Sequence, residues 1–302
     1  MRGWTGRAVR ASLLLCALVS LGNCGGGGDS GPTLEAIAFG NGTFVIVGQT
    51  TSASTSTDGQ NWTAHPTGVA GNLLGVAFGA GVFVAVGAGG TILESPDGAT
   101  WTAAGSPTDA DLQAVAFGAS TFVAVGSFGA IVTSPNGVDW VERSSGTAAQ
   151  LNGVAFTNDR FLAVGDGGTI LSSPDGATWT PVDSSGVTEN LFAAAYNPPA
   201  YLVAGAAGTI LTSPDGVDWA GISTGLDLDL NAAIGAQGIF VVVGDEGTIL
   251  TSGDGVSFFA RDAGSKQFLN GVANGLGLFV AVGTSSDSVV SVDGVTWVKR
   301  KI

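Results

Sequence analysis

Short apolar runs alternate along the chain with clusters of Gly, Asn, Asp and Ser, and no stretch keeps the 3.6-residue period of an amphipathic helix. The pattern repeats. A Leu opens each copy, at Leu34, Leu73, Leu112, Leu151, Leu191, Leu230 and Leu269, with steps of 39 residues and a single step of 40 after Leu151. Each copy holds four short β segments, such as 151–156, 160–164, 169–173 and 178–182 in the fourth. The second segment is apolar throughout (Phe83-Val84-Ala85-Val86), as a strand covered on both faces requires, whereas the last is more polar.

A four-stranded sheet with two apolar faces is not stable by itself, and radial packing of seven such sheets covers both faces of each. The predicted fold is therefore all-β: a seven-bladed β-propeller over residues 34–302, with four antiparallel strands per blade. A β-solenoid is the competitor, but its coils usually need fewer than 39 residues per turn. The first copy begins with a full first segment and the last ends with a full fourth, so the ring should close without exchanging strands.

Composition narrows the function. With 10 basic residues against 24 acidic ones and a net charge of −14, the chain lacks the clustered Lys and Arg that nucleic acid demands. A hydrophobic fraction of 45% excludes a disordered chain, and the 50 glycines lack the every-third spacing of collagen. Residues 1–23 read as a secretory signal: Arg2, Arg7 and Arg10 precede an apolar run, Ala11 to Leu21, too short to span a bilayer.

Leu21-Gly22-Asn23-Cys24 followed by a Gly-rich stretch resembles a bacterial lipoprotein lipobox with its tether, residues 24–33, although Asn23 stands where that family prefers a small residue. The resemblance implies lipid on Cys24, an extracytoplasmic place in the bacterial cell envelope, and membrane attachment through the lipid only. The alternative is an ordinary cleaved signal that leaves Cys24 as a free thiol. Cys16 leaves with the signal in either case, so no disulfide forms.

Each copy also carries a turn of the form S-x-D-G-x-x-W, from Ser56 to Trp62 in the first and Ser291 to Trp297 in the last, with Asn136 in place of the Asp in the third and Phe258 in place of the Trp in the sixth. It resembles the Asp-box of bacterial-neuraminidase-type repeats, which are found in sialidases and in photosystem assembly factors, though its spacing is one residue shorter than the usual form. That resemblance implies a propeller with the turn between third and fourth strands. A hydroxyl and a carboxylate that accept turn N–H groups give Asp58, Asp97, Asp175, Asp215, Asp254 and Asp293 a structural role. Equivalent copies facing different directions make poor catalysts.

The sialidase pattern needs converging arginines and a Tyr nucleophile. Here Arg143, Arg261 and Arg300 share one repeat position in outermost strands with His65, the only histidine, and Tyr196 and Tyr201 stand where other copies have Phe. No Ser-His-Asp set or Cys/His metal set can be assembled. What remains is charge. Loops between second and third strands and between blades, on the face opposite the recurring turns, hold Asp109, Asp111, Asp166, Asp183, Glu189, Asp227, Asp229, Asp245, Glu246, Asp262 and Asp287, with Lys266 as their only base.

Seven of these form the candidate binding set: Asp109, Asp111, Asp166, Asp227, Asp229, Asp245 and Glu246. They suit a basic partner, or Ca²⁺ at the Asp109/Asp111 and Asp227/Asp229 pairs, while a merely solvated acidic rim is the plainer reading. The expected function is that of a monomeric, non-catalytic envelope lipoprotein without a cofactor beyond that candidate Ca²⁺, scaffolding another envelope protein or a glycan. The alternative is a glycosidase-like enzyme using Asp166 and Asp245.

Overall fold

The computed structural model describes residues 32–70 and 72–302; the signal and Cys24 lie outside the described residues. Seven four-stranded antiparallel sheets form, each from four consecutive strands. Blade 4 shows the pattern, with strands Leu151–Thr157, Arg160–Gly165, Thr169–Ser173 and Thr180–Val182 running from the axis outward. The fourth strand starts two residues later than expected because Thr178 and Trp179 belong to the turn, hydrogen-bonded to Asp175 and Gly176.

First strands neighbour one another around the axis, and Leu34–Gly40 of blade 1 lies beside Leu269–Gly275 of blade 7. No strand is exchanged at closure, which rests on packing and on side-chain hydrogen bonds such as Asn270 to the Leu34 carbonyl. Leu34, Ile37, Phe44 and Ile46 bury themselves against Ala273, Val280, Val282 and Val290. All second strands are buried after their first residue, as the continuous apolar runs require. The outermost strands are only two to four residues long, which leaves little unpaired edge.

The blades fit as wedges through a reciprocal pair of positions. An aromatic near the end of each of the first five first strands stacks on the second-strand ring of its own blade, with centroids 4.7 Å apart for Phe39–Phe44 and 4.6 Å for Phe117–Phe122. For four of the five its other side meets a glycine of the preceding blade, and for Tyr196 that position is Thr157. A Cβ on Gly40, Gly79, Gly118 or Gly275 would stand 1.9, 2.0, 1.9 or 2.3 Å from the ring of Phe78, Phe117, Phe156 or Phe39. Blades 6 and 7 carry Gly235 and Asn274 at the ring position, and the blades before them carry Asn197 and Ala236 in place of the glycine.

Five blades join their second and third strands through a one-turn 3-10 segment, at Ala88–Gly90, Ser127–Gly129, Asp166–Gly168, Ala206–Gly208 and Asp245–Gly247. The middle residue is left-handed in each, including Phe128 (φ 59°) and Glu246 (φ 53°). These segments and the linkers between blades make up one face of the disc. The recurring S-x-D-G-x-x-W turns make up the other.

Candidate functional site

On the turn face the recurring serine and aspartate are engaged in hydrogen bonds. In blade 4, Ser173 Oγ donates to Asp175 Oδ1 (3.1 Å) and accepts the buried Gly176 N–H (2.8 Å), while Oδ1 accepts Ala177 and Thr178 N–H, both at 2.9 Å. Gly176 sits at φ 76°, the left-handed turn position. The indole of Trp179 adds a bond the sequence did not announce, donating Nε1–H to the Gly176 carbonyl at 2.8 Å. The backbone N–H groups hold the turn carboxylates below the usual range, Asp254 down to about 2 and Asp58 lower still.

The residues weighed for catalysis serve the frame. His65 Nε2 lies 2.9 Å from Thr55 Oγ1, and at the same repeat position Arg143 and Arg261 donate Nε–H to Thr133 and Thr251 across neighbouring strands. Tyr201 is buried against Tyr196 (4.7 Å), and its hydroxyl meets Asn158 and Asp159 at the seam between blades 4 and 5.

The opposite face divides the candidate acids in two. Asp111 accepts Gly89 N–H (2.7 Å) and Asp229 accepts Ala207 N–H (3.1 Å), so both hold 3-10 turns from the following linker. Asp166 and Asp245 accept the side-chain amides of Asn152 (2.9 Å) and Asn231 (3.0 Å). Asp109, Asp227 and Glu246 are exposed to solvent. Among the described residues no three His, Cys, Asp or Glu side chains stand close enough to hold a metal ion.

One acid is misplaced by the sequence reading. Asp287 does not belong to the exposed face: it opens the third strand of blade 7, Asp287–Ser291, is 5% exposed and pairs with Lys299. Blade 7 has Thr284-Ser285-Ser286 where five other blades have the 3-10 turn, and its strand takes up the acid at once.

Two further features of this face were missed. Phe128, at the left-handed position of the blade 3 turn, is 84% exposed and lines a 730 Å³ cavity with Asp109, Glu142 and Arg143. Its signal was a Phe in a string where other blades have Gly89 and Gly167. The second feature is the mouth of the central channel, a 260 Å³ cavity ringed by Glu35, Leu74, Gln113, Asn152, Phe192, Asn231 and Asn270, one from each blade.

Glu35 is the only ionisable member of that ring. It accepts Gln49 Nε2–H (2.7 Å) on Oε1 and Asn270 Nδ2–H (3.3 Å) on Oε2, and burial pushes its carboxyl above the usual value. Being on a strand, it escaped a count of loop acids, although the residue after each opening Leu necessarily lies at the loop-bearing end of the channel.

The fold is shared with solved structures. YCF48 bound to D1 peptide superposes with a TM-score of 0.71 at 16% identity, over 89% of this chain and 93% of that one. YCF48 from Cyanidioschyzon merolae gives 0.58 at 17% identity, over 76% and 85%. A streptogramin B lyase structure gives 0.72 at 10% identity, over 85% and 91%. The chain matches no protein-family model and no curated protein sequence.

Proposed function

We propose that this chain is a non-catalytic binding or assembly scaffold of the bacterial envelope, tethered through lipid on Cys24, whose acidic face docks a basic segment of a partner protein. The observation that carries the reading is the division among the face acids. Asp111, Asp166, Asp229 and Asp245 are tied to turns or to ring amides, while Asp109, Asp227 and Glu246 stand exposed, with Phe128 beside Asp109. Exposed carboxylates steer a basic partner, and an exposed aromatic is the type of group that anchors an interface. The similarity to YCF48 solved with a D1 peptide supports a peptide-binding use of the fold. Glycoside hydrolysis is less well supported, because Asp166 and Asp245 are each bound to an asparagine of their own blade.

The test is capture from envelope extract by the lipid-free chain, compared with a triple variant, Asp109→Asn, Asp227→Asn and Glu246→Gln. The wild type should retain a protein that the variant loses and that releases as salt is raised. Equal capture by both, or capture of a glycan insensitive to the three substitutions, would overturn the reading.

A further inference from the structure

We infer that the mouth of the central channel is a subsite for a single alkylammonium group, such as a lysine side chain, with Glu35 as its counter-ion. The hydrogen-bonding capacity left over at the mouth is mostly of one kind. Asn231 Nδ2 faces Asp245 Oδ1 (3.0 Å) and the Leu269 carbonyl (3.1 Å), and both can only accept. Asn270 Nδ2 likewise faces the Leu34 carbonyl (3.0 Å) and Glu35 Oε2 (3.3 Å). These partners fix the orientation of both amides and use their N–H groups. What each has left is a carbonyl oxygen.

Glu35 adds a half-buried carboxylate that has no salt-bridge partner among the described residues. A carboxylate and two amide oxygens without an opposing cation are what an ammonium group, three donors and no acceptor, would satisfy. Guanidinium fits less well. Each Glu35 oxygen already accepts one hydrogen bond, so a planar fork would have to take the last lone pair of both oxygens at once, whereas an ammonium needs only one of them. The aliphatic stem has Leu74 on one flank and the Phe192 ring across the mouth, and 260 Å³ admits one side chain rather than a folded segment.

The site lies at the centre of the face assigned above to the partner, so its biological use rests on that reading, but its chemistry is testable without a partner. The probe is N-acetyl-lysine amide, with the neutral N-acetyl-norleucine amide as control, titrated into the full chain. The readout is side-chain amide NMR signals of Gln113, Asn231 and Asn270. The lysine probe should shift them in a saturable way, and the control should bind at least about tenfold more weakly, as should the lysine probe to Glu35→Gln.

Leu74→Lys, which places an ammonium of the chain's own beside Glu35, should block the probe. Equal binding of the two probes, undiminished binding to Glu35→Gln, or free access in Leu74→Lys would each overturn the inference. Intact probe binding together with failed partner capture would instead remove only the scaffold reading.

Discussion

Gly118→Ala probes the fit between blades most sharply. The new Cβ would lie 1.9 Å from the ring of Phe156 in the next blade, and that ring is stacked on Phe161 (4.8 Å), so it cannot simply swing away. Overpacking of this kind costs about 1–3 kcal/mol. The upper end is limited by what blade 4 tolerates at the next seam: Thr157 occupies the glycine position against Tyr196, and both line a 250 Å³ cavity. For a chain of this size the cost corresponds to roughly 2–6 °C in Tm.

Urea unfolding of wild type, Gly118→Ala, Phe156→Leu and the double variant forms the cycle. Once the ring is replaced by the smaller Leu, the added methyl should cost little, giving a coupling of at least about 1 kcal/mol. A Gly118→Ala variant within about 0.5 kcal/mol of wild type, or strictly additive costs in the double variant, would refute the wedge reasoning.

Other outcomes follow from the turns and the acidic face. The turn aspartates have folded pKa values below their unfolded ones, so their stabilisation is complete above about pH 4 and is lost as pH falls toward about 2 for Asp254. Asp254→Asn, which copies Asn136 of blade 3, should flatten the acid limb of a Tm-against-pH curve, and an unchanged limb would count against this. Ser173→Ala leaves the buried Gly176 N–H without its acceptor and should cost about 1–3 kcal/mol in urea unfolding, whereas Ser173→Thr retains a hydroxyl. Phe128→Gly relieves a left-handed side chain, so thermal stability should hold or rise by up to about 1 kcal/mol while partner capture weakens; a large loss of stability would contradict the left-handed geometry. Millimolar Ca²⁺ should leave Tm unmoved, because Asp111 and Asp229 already accept backbone N–H groups, and an upward shift would restore the calcium reading.

The fold was legible because each strand's burial is written in its own repeat position: the wholly apolar second segment can only be an inner strand, and Ser–Asp–Gly–Trp can only be a tight turn over a buried ring. What escaped was anything set by departure from the repeat. Asp287 follows a turn that blade 7 alone among the last five blades rebuilds without the 3-10 segment, so counting loop residues placed it outside. Phe128 sits in a Gly-rich string whose middle residue is left-handed, a property the string does not display until the backbone is traced. The roles of Asp166 and Asp245 depended on asparagines 14 residues earlier, which reach them across paired strands.

Carbodiimide cross-linking of the captured complex, followed by mass spectrometry, reports most directly where the partner sits, since it joins carboxylates to lysines only in direct contact. Links from partner lysines to Asp109, Asp227 and Glu246 are the expected result. Links confined to Asp97, Asp215 and Asp293 on the opposite face would contradict docking on the acidic face.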